Sequence, residues 1–327
     1  MEIAIKTENL VKIYPGKGKS RGKPVKALVD LNLQVKVGDI YGFIGPNGAG
    51  KTTCIKTLMG LIRPTSGKAF IFDMVAGTVE AKKKVGYLSE VAYYYPFMEV
   101  GKLLDFYCSF YNIPRAKRKK KITEVLGLVK LSNKTNARMS ELSKGMMQRF
   151  GIAQAIIADP PLLILDELTS GLDPIAQKEV KDIILDLKKR GKTIFFSSHV
   201  MTEVEKICDQ IGIINQGVML KSAGLEDFLK EESGAFTRIV FGGKPDKLLE
   251  SFKEKGLEID NVSTGIFAVV VPDNDVGEII DTLRNEKGNI IEIKPRRFSL
   301  EDAFFKLVKE RDEKQQKGSE IKEKQEV

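Results

Sequence analysis

Residues 45–52 read GPNGAGKT and fit the pattern G-x-x-x-x-G-K-[ST]. Glycines in such a loop permit positive φ and leave no Cβ in the way, so successive backbone N–H groups can turn inward around a phosphate. Residues 40–44 (IYGFI) predict a short buried strand before the loop, and 52–62 (TTCIKTLMGLI) predict a helix whose positive N-terminus faces the same anion. This strand–loop–helix setting favours a nucleotide site over an ordinary glycine-rich turn.

The side chains of this loop predict different contacts with a bound nucleoside triphosphate. Lys51 is long enough to reach the β- and γ-phosphates, and the Thr52 hydroxyl can occupy one position around Mg²⁺. Together with the backbone groups, the predicted nucleotide contacts of the loop are Gly45, Pro46, Asn47, Gly48, Ala49, Gly50, Lys51, Thr52 and Thr53.

Length and composition limit the class of protein. The chain has 327 residues, of which 42% are hydrophobic and 30% charged, and its formal net charge is +9. These values predict a soluble globular protein with one large domain and a smaller one. No run approaches the roughly 20 apolar residues of a membrane-spanning helix, and residues 1–10 lack a signal pattern. The scattered Cys54, Cys108 and Cys208 form no metal-binding spacing, so we expect a reducing cytoplasm.

A long helical region is predicted after the phosphate loop. Short strands at 68–72 and 85–88 come first. Residues 99–158 are then predicted to be wholly helical, because apolar residues recur at helical spacing through 103–111 and 122–131. We assign a helical subdomain to about 92–160. Within it, the KRKKK segment at 117–121 is interpreted as a solvated helix face, with membrane headgroups or nucleic acid as the alternative contacts.

Two acidic residues follow a strand that is predicted to lie inside a parallel sheet. The near-continuous apolar run in 162–167 (LLILDE) is typical of strands covered on both faces, and ligands bind at the carboxyl ends of such strands. Asp166 is therefore predicted to hold Mg²⁺ and Glu167 to act as general base for the attacking water. His199, the only histidine, ends the next predicted strand, 193–198, and is predicted to bond the γ-phosphate or polarise the water.

The chain changes character at about residue 223. Its pattern then predicts β-α-β-β-α-β, the order of the split βαβ or ferredoxin-like fold. The predicted elements are strand 237–241, helix 246–255, strands 257–263 and 266–271, helix 275–287 and strand 289–294. We assign a C-terminal accessory α+β domain to 235–310 and a disordered charged tail to 311–327.

Several motifs together carry a family resemblance. GPNGAGKT, LSKGM (142–146), LLILDE, SGLD (170–173) and His199 stand in the order and spacing of the nucleotide-binding subunit of ABC transporters. The chain resembles this family over residues 1–222. The resemblance implies an α/β P-loop NTPase core with an antiparallel β subdomain and a helical subdomain, ATP as the nucleotide, and ATPase activity. The segment 299–307 (SLEDAFFKL) resembles the end of extensions found in exporter-type members.

The resemblance also implies a head-to-tail dimer with two ATP molecules between its subunits. One subunit's phosphate loop then holds each ATP together with Ser143, Lys144 and Gly145 of the other subunit, where a helix N-terminus capped by Ser143 offers a positive dipole end. Asp173 would also act across the same interface. From its position alone, Tyr14 is either an adenine-stacking ring or a surface residue. By resemblance, it is similar to the aromatic residue that stacks on adenine in this family.

Four positions depart from the family pattern. Lys144 and Met146 turn the usual LSGGQ into LSKGM, and Leu168 replaces a customary proline after Glu167. Glu90 stands where glutamine is typical and can still accept a hydrogen bond from a Mg²⁺-bound water. The predicted metal set is therefore Thr52, Glu90 and Asp166, and no departure removes a predicted catalytic group.

Two functions are compatible with these motifs. The first is an ATPase that powers transport, with export as the expected direction, through a transmembrane permease on a separate chain. It would work at the cytoplasmic face of the membrane as a homodimer, or as a heterodimer with a second ATPase subunit. The alternative is a soluble ABC-type ATPase acting on ribosomes or nucleic acid, which the net charge would suit. Such relatives usually carry two cassettes or long coiled coils. This sequence has one phosphate loop and no sustained heptads, so no nucleic-acid partner is expected.

An aromatic segment is predicted to face the membrane partner. Residues 87–107 leave the sheet near Glu90 for the helical region, and they contain Tyr93, Tyr94, Tyr95 and Phe97. An exposed cluster of such rings is typical of a protein interface. The alternative is that the rings pack inside the helical region.

Overall fold

The computed structural model describes residues 2–16, 23–232, 236–243, 252, 257, 259–286, 288–295 and 299–311. The chain divides into two compact units, 1–225 together with 307–327, and 226–306. The predicted domain limits were 1–222 and 235–310. The return of the chain to the first unit at residue 307 was not predicted. There Arg311 donates a 2.7 Å hydrogen bond to the carbonyl of Asn215. Within the described ranges, no helix has both the length and the apolar character needed to cross a membrane.

The described part of residues 1–224 contains ten strands and seven α-helices. The strands are β1 Ile3–Tyr14, β2 Val25–Lys36, β3 Ile40–Ile44, β4 Ser66–Ile71, β5 Met74–Val75, β6 Val85–Leu88, β7 Leu162–Leu165, β8 Thr193–Ser198, β9 Gln210–Asn215 and β10 Val218–Gly224. The helices are α1 Lys51–Leu58, α2 Val79–Lys83, α3 Val100–Phe110, α4 Arg115–Leu128, α5 Lys144–Ile156, α6 Pro174–Lys189 and α7 Met201–Val204. Helix α8, Leu225–Glu232, follows β10.

A six-stranded sheet forms the centre of this unit, in the order β10-β9-β3-β8-β7-β6. Its strands run parallel except at the β9–β10 edge. Every residue of β3, β7 and β8 is buried, as expected for parallel strands covered on both faces. The ends of these three strands therefore bring the phosphate loop, the acidic pair and His199 to one edge of the sheet.

A second, antiparallel sheet has the order β2-β1-β4-β5. Its inward residues Leu10, Leu31 and Ile71 join Tyr41 and Phe43 of the central sheet in one hydrophobic core. The predicted α/β core with an antiparallel β subdomain is confirmed.

The helical region differs from its prediction between α4 and α5. The expectation of helix throughout 99–158 is wrong at 111–114, between α3 and α4, and at 129–143, which forms turns and two short 3₁₀ segments, Ser132–Lys134 and Met139–Glu141. Polar side chains bond the local backbone here: Thr135 donates to the Ser132 carbonyl, and Glu141 accepts from the Arg138 amide. Such bonds compete with the helical ladder.

The second unit is built on a four-stranded antiparallel sheet. Its elements are β11 Phe236–Gly242, β12 Ile259–Ser263, β13 Ile266–Pro272, α9 Val276–Asn285 and β14 Asn289–Pro295. The order β12-β13-β11-β14 places β13 between β11 and β12, so these two strands run parallel with a third between them, as in a split βαβ unit. A helix at 300–311 follows. The predicted helix 246–255 and the predicted tail lie almost wholly outside the described residues.

Candidate nucleotide-binding and hydrolysis site

The phosphate loop joins β3 to α1 and is held closely by neighbouring strands. A Cβ on Gly45 would lie 2.1 Å from the Ile214 carbonyl oxygen, and one on Gly50, whose φ is +112°, would lie 2.4 Å from the Ala27 carbonyl oxygen. The Ala49 carbonyl accepts a 2.8 Å bond from the Gly217 amide. Glycine is therefore required at two of the predicted positions because backbone atoms of β2 and β9 approach the loop directly.

A cavity of about 360 Å³ lies on this loop. It is lined by Val25, Lys26, Ala27, Asn47, Gly48, Ala49, Gly50, Lys51, Thr52, Thr53, Glu90 and Glu167. The structure thus brings together most of the predicted nucleotide contacts with both Glu90 and Glu167. Residues 25–27 were not predicted, because they belong to a different sheet and only the tertiary fold places them here.

Lys51 is the central cation of the cavity. Its ammonium lies 2.7 Å from the Gly45 carbonyl oxygen and 3.3 Å from that of Pro46. It also lies 3.3 Å from Glu167 Oε1, and the two side chains are only 4% and 8% exposed. A buried ammonium held beside the phosphate loop can bind the polyphosphate of a nucleotide.

Asp166 lies in a cluster of oxygen atoms beside Lys51. Ser197 Oγ donates to its Oδ1 at 2.6 Å, and Thr52 Oγ1 lies 3.4 Å from the same oxygen. Burial raises the pKa of the Asp166 carboxyl, the bonds from Ser197 and Thr52 lower it, and the charges of Glu90 and Glu167 raise it further. Carboxylate and hydroxyl oxygens are the ligands that Mg²⁺ prefers, so this group fits the predicted metal. Ser197 was not predicted, although it stands near the end of a strand reaching the site.

Glu167 is held between Lys51 and His199. Its Oε2 lies 2.7 Å from His199 Nδ1, and its amide donates to Ser197 Oγ at 2.8 Å. The φ of Glu167 is +52°, in the left-handed region. The two adjacent acids therefore contact different partners, Asp166 the Thr52–Ser197 oxygens and Glu167 the cation and the imidazole.

The LSKGM and SGLD segments pack on each other away from the cavity. Ser143 caps α5, accepting a 3.3 Å bond from the Met146 amide, as predicted. A Cβ on Gly145 would lie 2.6 Å from Ala176 Cβ, and one on Gly171 would lie 2.2 Å from Lys144 Nζ. Asp173 caps α6 through a 2.9 Å bond from the Ala176 amide, with proline in the first helical turn.

These segments do not line the cavity around Lys51 of their own chain. Ser143, Lys144 and Asp173 are exposed, which leaves their side chains available to a second molecule. Their predicted contact with ATP across a dimer stays a prediction.

Tyr14 lies near the cavity without lining it. It pairs with Val25, a lining residue, and the Lys12 ammonium is 5.1 Å from the centre of its ring. Its role in stacking on adenine stays a prediction.

Comparison with known proteins agrees with this geometry. Residues 28–170 match the family model described as ABC transporter. The chain is 38% identical to an uncharacterised ABC transporter ATP-binding protein of Synechocystis, over 94% of this chain and 85% of that protein. It is 35% identical to the bacitracin transport ATP-binding protein BcrA of Bacillus licheniformis, over 94% and 98%. It is also 32% identical to the Nod factor export ATP-binding protein I of Rhizobium etli, over 86% and 89%.

Solved structures show the same fold. A dimeric ATP-binding cassette bound to ADP and Pi superposes with a TM-score of 0.60, at 24% identity, over 68% of this chain and 98% of that one. Fold and site together define a P-loop ATPase of the cassette type. The chain belongs to the family of ABC transporter ATP-binding proteins.

Proposed function

We propose that the chain hydrolyses ATP in a site completed by a second copy and that this reaction drives export through a separate transmembrane subunit. The proposal is carried by the position of Glu167, between the Lys51 ammonium and the His199 imidazole at the cavity. Transport is supported by the name of the bacitracin transport relative, and export as its direction by the name of the Nod factor export relative. Work at the cytoplasmic face of the membrane follows from this assignment.

We propose a step for each side chain. Lys51 binds the β- and γ-phosphates, and the Asn47–Gly50 backbone surrounds them. Thr52 and Asp166 would hold Mg²⁺, with Glu90 at the edge of the same cavity. The ion would neutralise charge on the phosphate oxygens. Glu167 takes the proton of the attacking water, and His199 holds the Glu167 carboxylate in place through Nδ1.

Completion by a second copy explains the position of Ser143. The Ser143 segment begins a 13-residue helix, α5, whose N-terminal dipole attracts anions, yet it lies outside the cavity of its own chain. We propose that it contacts the γ-phosphate bound to the partner copy, with Lys144 adding a positive charge.

The contact with the transmembrane subunit is proposed to lie on the segment after Glu90. Tyr93, Tyr95 and Phe97 are 92%, 59% and 72% exposed, and the Tyr95 and Phe97 rings are 5.9 Å apart. Tyr94 differs, because its ring packs edge-on against Phe150 at 4.9 Å and its hydroxyl bonds Gln154. The earlier grouping of all four rings is therefore wrong for Tyr94. Exposed aromatic rings of this kind are typical of protein interfaces.

Replacement of Tyr93 and Phe97 by serine is expected to separate ATP hydrolysis from partner binding. The double variant should hydrolyse ATP normally in solution, because neither ring contacts the cavity, but should lose its membrane subunit on co-purification from native membranes. Phe110→Ser is the matched control, since Phe110 is also 72% exposed but lies at the far end of α3. Retention of the membrane subunit by the double variant, or equal loss in the control, would place the contact elsewhere.

A further inference from the structure

Glu167 occupies a backbone conformation that its neighbours must maintain. Its φ of +52° is in the left-handed region, which residues other than glycine rarely adopt without support from the surrounding structure. Ser197 holds the residue from one side through the Glu167 amide. The next residue is Leu168, which lacks the ring that fixes φ in the proline customary there. A restraint on the far side of Glu167 must therefore come from elsewhere.

Two side-chain hydrogen bonds restrain the chain there: Gln148 Nε2 donates to the Leu168 carbonyl at 2.8 Å, and a second bond is made two residues after Glu167. The buried Thr169 hydroxyl donates to Oε2 of Glu203. Glu203 lies on α7, four residues after His199. The 199–203 segment therefore holds the loop at two points, His199 on Glu167 and Glu203 on Thr169.

The support for Glu203 is rigid. Its neighbour Val204 is fully buried and packs so closely on β3 that a Cβ on Gly42 would lie 2.6 Å from Val204 Cγ1. β3 also leads directly into the phosphate loop. The bond from Thr169 therefore links the loop after Glu167 to the same strand that positions Lys51.

Glu203 also has a feature that stability does not explain. Its second oxygen, Oε1, is buried and has no hydrogen-bond partner among the described residues. A buried carboxylate oxygen without a hydrogen bond costs free energy of folding, so its presence here is compatible with a role other than stability.

We propose that Thr169 and Glu203 are positioning residues for ATP hydrolysis, which keep the Glu167 carboxylate aligned between Lys51 and His199. The inference rests on the proposed role of Glu167. Neither residue lines the cavity around Lys51, so the bond acts through Glu167 and not on bound nucleotide.

The test compares three threonine variants of the full chain. Thr169→Val removes the hydroxyl with little change of shape and should lower kcat by roughly 10–100-fold, the effect of a small misplacement of a reacting group. Its ATP affinity by calorimetry should stay within about twofold of the wild type, since Lys51 is untouched. Thr169→Ser keeps the hydroxyl and should restore most of kcat.

Thr193→Val is the matched control. Thr193 is also buried and its hydroxyl accepts a hydrogen bond from the Gly38 amide at 2.9 Å, but it lies at the opposite end of β8 from the site. It should lower the unfolding temperature without lowering kcat. The Thr169→Val loss should also not add to that of Glu203→Met, because the two changes remove the same bond.

Two results would overturn the proposal. One is a kcat of Thr169→Val within twofold of the wild type while Glu167→Gln is inactive. The other is an equal fall of kcat in Thr193→Val, which would show only a general loss of stability. If Glu167→Gln itself keeps wild-type turnover, the role of Glu167 fails first and the positioning role fails with it.

Discussion

Glu167→Gln is expected to lower kcat for ATP hydrolysis by about 10²–10⁴-fold, the usual share of general-base catalysis. The amide keeps the shape of the side chain but cannot accept a proton from water. ATP affinity should change little or improve, because the neutral amide removes a negative charge 3.3 Å from the Lys51 ammonium, beside the predicted site of the γ-phosphate.

The measurement is phosphate release at saturating ATP together with calorimetric ATP binding. Glu124→Gln is the matched control, since Glu124 makes an ion pair with Lys121 at 3.6 Å on α4, away from the cavity. Turnover of Glu167→Gln near that of the control would remove Glu167 from the chemical step.

Lys51→Ala is expected to abolish most ATP binding. The substitution removes the cation facing the phosphates and leaves the Glu167 carboxylate buried beside them with His199 but without its Lys51 partner. Loss of one member of a buried charge pair costs about 2–5 kcal/mol, which corresponds to a dissociation constant raised roughly 30-fold to several thousand-fold.

Calorimetry with ATP and Mg²⁺ measures this change, and thermal unfolding shows whether the loop survives loss of the bonds to the Gly45 and Pro46 carbonyls. Lys56→Ala, an exposed position on the same helix, is the control. An unchanged ATP affinity in a folded Lys51→Ala protein would contradict the assignment of the phosphate site.

Much of the fold could be predicted because its signals are local in the sequence. The phosphate loop is recognised from eight consecutive residues. The continuous apolar runs of β3, β7 and β8 are typical of strands in a parallel sheet. Since the carboxyl ends of such strands meet at one edge, the convergence of Lys51, Asp166, Glu167 and His199 followed from the same reasoning.

The parts that could not be predicted depend on contacts between distant residues. Residues 25–27 line the cavity because β2 passes over the loop, and no pattern within β2 marks this. Thr169 and Glu203 are 34 positions apart, and their bond depends on how the loops after β7 and β8 meet. The burial of Tyr94 among exposed neighbours likewise requires Phe150, which lies on a different helix.

Asp173 shows a different limit. The structure places Asp173 as the N-cap of α6, before a proline in the first helical turn. The resemblance had assigned this residue a role across the dimer interface. Its exposed carboxylate leaves both roles open to the same side chain, because capping uses only Oδ1.

Sedimentation velocity of Glu167→Gln with and without ATP and Mg²⁺ tests most directly whether two copies complete the site. The variant should sediment as a monomer without nucleotide and as a dimer with ATP, because bound ATP then persists between the subunits. Ser143→Ala in the same background should weaken the ATP-dependent dimer by about tenfold or more, as expected for loss of one bond to a charged group. Thr78→Ala, which removes the matching helix cap of α2, should leave the dimer intact. A Glu167→Gln protein that binds ATP and remains monomeric at every concentration would contradict a site shared between two copies.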